Sequence, residues 1–396
     1  MAKDRATPGS QTSLREANRA RIVAVVQQRG SITQIELAGI TGLSPATVSN
    51  IVKELTHAGV LQTTPTSRSG RRAQEVTLAR NLGLVAGVHV LERSLRVALA
   101  DVSHRVVADQ RLPLPPAHRA DSGLDRVAIL VEELAESVGA SMSEVLALGI
   151  GVPAPVDVST GRVSSRSILP GWGGVVVPEV LGSRLGVPVV IDNDTNLGAL
   201  AESRLGAARD VNSLVYVRIT HGVGMGLVID GVVHRGRRGA AGELGHVRDV
   251  DDGPACRCGL SGCLEGSVGS AALAARLAPT HGHVALRDIV GRALAGDAAC
   301  VRVVGEAGRR LGRALASVCT IIDPDLVVLD GELVGAGEAL LGPIREVLDA
   351  EVLPTEPPGV RVELSALGGD AQLRGALVSA LDAYEVGVPA SFGVMT

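Results

Sequence analysis

The chain contains 396 residues, of which 46% are hydrophobic and only four are Trp, Tyr or Phe. This length predicts two or three domains, whose cores must be filled by aliphatic side chains. The chain shows no signal peptide and no apolar run long enough to span a bilayer, so we expect a protein without a membrane segment. Three of the five cysteines cluster at 256–263, which is typical of metal ligands rather than disulfides and favours a reducing, cytoplasmic environment.

The net charge of −4 is unevenly distributed along the sequence. Residues 1–80 contain 11 Lys and Arg against 5 Asp and Glu, which gives +6. Residues 81–396 contain the remaining 27 Lys and Arg against 37 Asp and Glu, which gives −10. A small basic module on an acidic body indicates a head that binds a polyanion.

The N-terminal module begins with residues 1–13, whose polar composition predicts a disordered tail. Helical spacing of apolar residues then begins near Leu14 and stops at Gly30. Thr33 followed by Glu36 forms a capping box, which predicts a short second helix.

A third helix is predicted from Ser44, an N-cap residue followed by Pro at the first helical position. One face of this helix is apolar, and the opposite face is small, polar and positively charged. Asn50 on that face could read a base edge in a major groove and Lys53 could contact a phosphate. The residues of the third helix predicted to contact DNA are Ser44, Pro45, Ala46, Thr47, Ser49, Asn50 and Lys53.

Two extended segments, Val60–Thr64 and Glu75–Leu78, follow the third helix. The turn between them carries Arg68, Arg71 and Arg72, which we expect to contact phosphates or a minor groove. These elements predict a winged helix-turn-helix domain over residues 14–80, and L-A-G-I-T-G-L-S-P-A-T-V-S-N-I-V-K-E-L resembles the DNA-binding segment of many bacterial regulators. The alternative is a small helical protein-interaction domain with a solvated basic turn.

Beyond residue 80, apolar runs typical of strands alternate with helical spacing, which predicts an α/β body over residues 81–396. The stretches Leu84–Val107 and Leu214–Val233 each consist of a strand, a loop and a second strand. This repeat indicates an internal duplication, with a cleft between two related α/β lobes. Predicted strands are Leu84–Val90, Leu95–Ala100, Val145–Gly151, Val187–Ile191, Leu214–Ile219 and Leu326–Leu329. Predicted helices are Leu124–Val138, Asn196–Leu205, Cys300–Ile322 and Gln372–Tyr384.

A glycine-rich loop at 246–263 contains His246, Cys256, Cys258 and Cys263. Three thiolates and one imidazole at this spacing match a tetrahedral Cys3His zinc site with no open coordination position. We therefore predict a structural Zn²⁺, against the alternative that the cysteines are unrelated small core residues.

Four motifs occur in order along the body: G-I-G-V-P-A-P-V-D at 149–157, I-D-N-D-T-N at 191–196, G-E-L-G-H at 242–246 and C-R-C-G-L-S-G-C-L-E at 256–265. Together they resemble the ROK family of repressors, open reading frames and sugar kinases. The resemblance implies an actin/hexokinase-like body of two lobes. With the winged helix in front, the chain is similar to the family's transcriptional regulators of the xylose and N-acetylglucosamine repressor type.

The resemblance also implies where the chain departs from a sugar kinase. The first phosphate loop of the family has an Asp followed by Gly-Gly-Thr, where this chain has His89, Leu91 and bulky, acidic Glu92. His221 replaces a Thr in the second loop, and Asp330-Gly331-Glu332 replaces a Gly-Gly pair beside the adenosine. We therefore expect the ATP half of the cleft to be lost.

The sugar half keeps the residues that the resemblance implies for hydroxyl recognition: Asn193, Asp194, Glu243, His246 and Glu265. The alternative is that these residues only cap helices and support the zinc loop, with Asp194 as the N-cap of the helix that follows. Ile168 stands where many members carry Asn, which suggests an unusual sugar, a sugar phosphate or a derivative.

These observations predict a sugar-responsive regulator, most simply a repressor, that binds an operator in double-stranded DNA as a homodimer or homotetramer. It would not be an enzyme. Two alternatives remain open at this point. One is an ATP-dependent sugar kinase with a DNA-binding head, and the other is a regulator that responds to a protein partner instead of a sugar.

Overall fold

A computed structural model describes residues 11–68, 71–115, 118–164, 168–355, 359–384 and 386. The N-terminal head has three helices and a three-stranded antiparallel sheet of order β1-β3-β2. Its elements are α1 (Gln11–Arg29), β1 (Ser31–Thr33), α2 (Gln34–Thr41), α3 (Pro45–His57), β2 (Leu61–Arg68) and β3 (Arg71–Leu78). This order is the predicted winged helix-turn-helix.

The helix starts of the head follow the predicted caps, with one correction. Thr33 and Glu36 form the capping box of α2, and the Ser44 hydroxyl accepts a hydrogen bond from the Thr47 N–H at 3.1 Å. The predicted tail 1–13 is wrong at its end, because α1 already begins at Gln11. Extending a nucleated helix costs little when the added residues are as polar and unbranched as Gln. Residues 1–10 lie outside the described residues.

The body consists of two lobes, each built on a five-stranded mixed sheet. The strand orders are β10-β7-β4-β5-β6 and β13-β12-β11-β14-β15, with the same pattern of parallel and antiparallel pairs. Read from β10 in the first sheet and from β15 in the second, the two topologies are the same, as expected for the predicted pair of related lobes. The strands of the first lobe are β4 (Leu84–Val90), β5 (Ser94–Asp101), β6 (Val106–Pro113), β7 (Val145–Val152) and β10 (Val189–Asn193). Those of the second are β11 (Leu214–Ile219), β12 (Val223–Ile229), β13 (Val232–Val233), β14 (Leu326–Asp330) and β15 (Val362–Leu364).

The helices of the body cover these sheets, and a small hairpin of β8 (Val156–Asp157) and β9 (Arg162–Val163) lies beside the first lobe. The first lobe carries α4 (Ala120–Ser137) and α5 (Val177–Leu185), and the second carries α7 (Glu265–Val268), α8 (Ser270–His281), α9 (Leu286–Leu294), α10 (Ala298–Ile322) and α11 (Glu338–Glu351). Two further helices pack between the lobes, α6 (Asp194–Leu205) and α12 (Ala371–Asp382). Among the described residues, no helix is both long and apolar enough to cross a membrane.

The α12 helix contributes to two apolar clusters, of which one includes the core of the head. Ala376 packs with Leu197 of α6 and the second sheet, whereas Leu377 packs with the first sheet and with the core of the head. The close approach depends on glycine, because a Cβ at Gly375 would lie 1.9 Å from the Leu197 carbonyl oxygen. Through α12, the apolar cluster of the head and the first sheet adjoins the cluster of α6 and the second sheet.

We expect Gly375→Ala to lower the free energy of unfolding by about 1–3 kcal/mol, because the added methyl group forces α6 and α12 apart. The matched control is Gly291→Ala in α9, where an added Cβ meets no atom within 4 Å. That control is expected to stabilise the protein by about 0.5–1 kcal/mol through helix propensity. Equal effects of the two substitutions in urea denaturation would contradict the packing argument.

Candidate functional site

A cleft of about 700 Å³ separates the two lobes. It is formed at the carboxyl ends of the central strands of both sheets, where open α/β sheets commonly bind ligands. The five predicted sugar-contacting residues all line this cleft, namely Asn193, Asp194, Glu243, His246 and Glu265. The fold thus brings together residues that are up to 72 positions apart in the sequence.

The start of α6 corrects one expectation about Asp194. Asn193, not Asp194, is the N-cap, since its Oδ1 accepts hydrogen bonds from the N–H groups of Thr195 (2.8 Å) and Asn196 (3.4 Å). The Asn193 amide also donates to the Ala154 carbonyl at 3.2 Å. Asp194 is therefore free to direct its carboxylate into the cleft.

The buried carboxylate of Asp194 is held by two basic side chains. Its Oδ2 lies 3.2 Å from an Arg218 guanidinium nitrogen and 3.4 Å from His89 Nε2. Burial lowers the pKa of His89, so its imidazole is neutral at neutral pH and Arg218 supplies the compensating charge. Arg218 was missed by sequence reasoning, although a lone Arg in the apolar strand Leu214–Ile219 is a signal that could have found it.

Glu243 and His246 lie side by side on the second lobe. Burial, together with the charges of Asp194 and Glu265, raises the pKa of Glu243 to about 7. His246 Nε2 lies 3.7 Å from Glu243 Oε2, whereas Nδ1 on the other edge of the ring lies 3.5 Å from Cys256 Sγ. One imidazole thus faces both the cleft and the cysteine cluster.

Glu265 has a partner that the sequence did not indicate. Arg257, from the cysteine loop, donates from Nε to Glu265 Oε1 at 3.0 Å and lies 3.7 Å from Glu92 Oε1. Glu92 belongs to the loop between β4 and β5, so this pair spans the cleft from one lobe to the other. Glu265 also accepts a hydrogen bond from the Val223 N–H at 3.3 Å.

The predicted metal ligands converge at one point. The ligand atoms of His246, Cys256, Cys258 and Cys263 all lie within 4.8 Å of one another. The sulfurs of Cys258 and Cys263 are 3.7 Å apart, close to the roughly 3.8 Å that a tetrahedral ion with metal–sulfur bonds of about 2.3 Å requires. Burial and the neighbouring Cys258 and Cys256 raise the pKa of the Cys263 thiol to about 12. The donor set and spacing therefore suit a metal ion.

The head presents the predicted face of α3 to solvent. Ser44, Pro45, Ala46, Asn50 and Lys53 are exposed, and Thr47 and Ser49 are half-buried. The opposite face, including Val48 and Leu55, lies in the core. Arg68, Arg71 and Arg72 lie at the predicted turn of the β2–β3 hairpin, but their side chains lie outside the described part of the chain.

Comparison with known proteins decides the family. The ROK family model matches residues 85–383, and a model described as winged helix-turn-helix DNA-binding matches residues 15–62. The chain belongs to the ROK family. This ROK protein is 29% identical to the DNA-binding transcriptional dual regulator NagC of Escherichia coli (strain K12), covering 95% of this chain and 98% of NagC.

Solved structures agree with this assignment. A ROK family transcriptional regulator described as a homologue of the E. coli MLC protein aligns with a TM-score of 0.75 at 27% identity, covering 93% of this chain and 96% of that one. A ROK family glucokinase from Streptomyces griseus, solved with glucose and AMPPNP, aligns with a TM-score of 0.67 at 28% identity over 76% of this chain and 100% of its own. The predicted fold, an actin/hexokinase-like ROK body with an N-terminal winged helix-turn-helix, is confirmed.

The buried pair of Asp194 and Arg218 generates a stability prediction. Arg218→Met should lower the free energy of unfolding by about 3 kcal/mol, because it leaves Asp194 as an uncompensated charge. Adding Asp194→Asn removes that charge and should restore at least half of the loss, as measured by urea denaturation.

The control for these two substitutions is Arg248→Ala. The Arg248 side chain is 61% exposed and pairs only with the exposed Asp251 among the contacts described. Such a surface pair contributes less than about 1 kcal/mol. If Arg218→Met is as stable as the wild type, or if the second substitution adds further loss, the ion pair does not stabilise the fold as argued.

Proposed function

We propose that this ROK protein is a sugar-responsive, DNA-binding transcriptional regulator, most simply a repressor. The single observation that carries the proposal is that the helix with the exposed recognition face packs in one apolar core with the first-lobe sheet and α12, and the carboxyl ends of that sheet's strands line a cleft of hydroxyl-binding residues. The names of the relatives support the same reading, since NagC is a DNA-binding regulator that matches nearly the whole chain.

The proposed effector is a polyhydroxyl compound that binds between the lobes. Carboxylates and a histidine in a cleft offer paired acceptors and donors at fixed angles, which suits vicinal hydroxyl groups. An analogue without a hydroxyl would leave a half-buried carboxylate unpaired and be rejected. Asp194, Glu243, His246 and Glu265 are the proposed contacts. Asn193 would contribute chiefly through the cap that positions Asp194.

A sugar kinase is the less favoured function, for reasons of charge. In a kinase Asp194 would accept a proton from the sugar hydroxyl, but here Arg218 lies 3.2 Å away and stabilises the ionised carboxylate. The guanidinium thus occupies a lone pair of the carboxylate oxygen that a catalytic base would use. In the first loop, Glu92 places a negative charge where a phosphate would lie, and it pairs with Arg257 instead.

We further propose that the cluster of His246, Cys256, Cys258 and Cys263 holds a structural Zn²⁺. The ion would supply charge to keep three thiolates together in a short loop. His246 would bind it through Nδ1, which leaves Nε2 directed at Glu243 and the cleft. The ion would thereby fix the orientation of one wall of the effector site.

The regulator is proposed to act as a homodimer or homotetramer. Winged helices of this size contact one half-site each, and two-fold operators match proteins with two-fold symmetry. The proposed partners are therefore an operator in double-stranded DNA, a sugar or sugar derivative, and further copies of this chain.

The zinc proposal predicts one bound zinc per chain in the purified protein. Cys258→Ala should remove it and lower the melting temperature, whereas Cys319→Ala, a buried cysteine of α10 outside the cluster, should retain it. Atomic emission and thermal unfolding measure both effects. A zinc-free wild type with an unchanged melting temperature after chelator treatment would refute the proposal.

The regulator proposal predicts sequence-selective DNA binding that a sugar changes. A duplex is selected from a random pool, and its affinity is measured with and without each member of a panel of pentoses, hexoses and N-acetylated hexosamines. We expect at least one sugar to change the affinity about 5- to 150-fold, the usual range of allosteric coupling. Trp172 is the only tryptophan of the sequence, and it is buried close to Ile168 and Leu169, which line the cleft. Its fluorescence offers an independent measure of sugar binding.

The matched variants for this experiment are Glu243→Ala and Glu332→Ala. Both carboxylates line the cleft, Glu243 in the half expected to bind sugar and Glu332 in the half where the kinases of the family bind ATP. Glu243→Ala should abolish the sugar response and keep DNA affinity, and Glu332→Ala should change neither. DNA regulation without any sugar in the panel binding would point to a protein partner. Hexose-dependent ATP consumption that Asp194→Asn abolishes would establish the kinase instead.

A further inference from the structure

We propose that α6 and α12 act together as the coupling element that transmits effector binding from the cleft to the DNA-binding head. The proposal names Gln27, Arg204 and Arg209 as the residues through which the signal reaches the head. It rests on the proposed function and concerns the physical route by which one site acts on the other.

Both helices begin in the cleft. The N-terminus of α6 lies in the cleft, with Asn193 as its cap and Asp194 as a proposed effector contact. The N-terminus of α12 is tied to both lobes, because Asp370 pairs with Arg96 of β5 and the Gln372 amide donates to Asp330 of β14 at 3.1 Å. Any change in the opening of the cleft must therefore displace the start of α12.

The two helices cannot slide independently of each other. Each has twelve residues and spans about 18 Å, and both run from the cleft towards the head. At their crossing Gly375 of α12 lies so close to the Leu197 carbonyl of α6 that no side chain fits between them. Packed cores shift as discrete rigid elements rather than deforming continuously, so the pair moves as one unit.

Both helices end against the last turn of α1. The Gln27 amide donates to the carbonyls of Leu381 (2.6 Å) and Tyr384 (3.1 Å), at the end of α12. Arg204, in the last turn of α6, reaches both the Gln28 carbonyl and Asp382 at 3.5 Å.

The turn after α6 adds a reciprocal contact. The Arg29 guanidinium donates to the Arg209 carbonyl at 2.6 Å, and the Arg209 guanidinium lies 3.4 Å from the carbonyls of Arg29 and Ser31. The last carbonyls of a helix have no partner within it. In α1 the body supplies partners for the Gln28 and Arg29 carbonyls, so the end of α1 is held against the body.

A displacement of α1 reaches the recognition helix directly. Arg19 of α1 donates to Glu54 of α3 at 2.7 Å, and Ile22 packs in the same core as Val48 and Leu55. Since α1 and α3 are fixed to each other, a shift at the end of α1 reorients the exposed face of α3. The effector thereby changes the geometry of the half-sites that two copies present to DNA.

The test is a double variant, Arg204→Ala with Arg209→Ala, in the full-length chain. N-acetylglucosamine and xylose serve as probes, together with any stronger member of the sugar panel. The variant should bind sugar and DNA as the wild type does. The effect of the sugar on DNA affinity should fall about 3-fold or more without vanishing, because the Gln27 contacts with the end of α12 remain. By linkage, the effect of DNA on sugar affinity should fall equally.

The matched control is Arg21→Ala. Arg21 also lies on α1 and donates to a carbonyl, that of Thr41 at 3.1 Å, but this contact stays within the head. The control should keep full coupling. If the double variant retains the wild-type response, or if Arg21→Ala loses it equally, the proposed route is wrong.

A second arm separates this inference from the proposed function. Hydrogen exchange of amides 22–30 is measured for Asp194→Asn in the wild-type background and in the double variant. We expect the cleft substitution to change the exchange rates of these amides in the wild-type background, and to change them clearly less in the double variant. If no sugar changes the DNA affinity of the wild type, the proposed function is wrong. The coupling through α6 and α12 is then tested by the hydrogen-exchange rates alone. If Asp194→Asn leaves the exchange rates of amides 22–30 unchanged in the wild-type background, the proposed coupling is wrong.

Discussion

The packing of α12 against three surfaces is the constraint on which the rest of the structure depends. One face of this helix contacts the second sheet, and another contacts the first sheet and the head. Glycines make these contacts possible. A Cβ at Gly149 of β7 would lie 2.0 Å from the Ala376 carbonyl oxygen, just as one at Gly375 would strike α6. Because the lobes meet on one helix, neither can move without moving the surface on which the head rests.

The second constraint lies at His246, whose ring faces two sites. Its Nδ1 lies at the cysteine cluster and its Nε2 at Glu243 in the cleft. Whatever occupies the cluster therefore sets the position of a proposed effector contact, as outer ligands commonly orient a metal-bound histidine. Glu243, His246 and Glu265 accordingly occur in one short stretch of sequence with the cysteine loop.

Much of the fold could be predicted because local signals were strong. The strands Leu84–Val90 and Leu214–Ile219 were correctly bounded, since each is an apolar run closed by a polar turn. The strand predicted at Val187–Ile191 instead runs from Val189 to Asn193, after a proline that has no N–H for a sheet. Boundaries set by tertiary pairing are less visible in sequence than element type.

In the candidate site, too, some residues could be predicted from the sequence and others could not. Cysteine spacing and motif residues identified the walls of the cleft, whereas Arg218 and Arg257 were missed because ion pairs between distant segments leave no periodic signal. The choice of Asn193 over Asp194 as N-cap was equally invisible, since both residue types cap helices well. That choice depends on the Ala154 carbonyl, which anchors the Asn193 amide from another segment.

The arginines in the cleft also bear on how a catalytic scaffold becomes a sensor. A carboxylate that accepts from a guanidinium is held in one orientation and keeps further lone pairs for hydrogen bonds. Asp194 is paired with Arg218 and Glu265 with Arg257, so each carboxylate can still accept from a hydroxyl group. On the proposed function, Arg218 of β11 and Arg257 of the cysteine loop orient the acceptors for the ligand, and the energy of its binding is available to move α6.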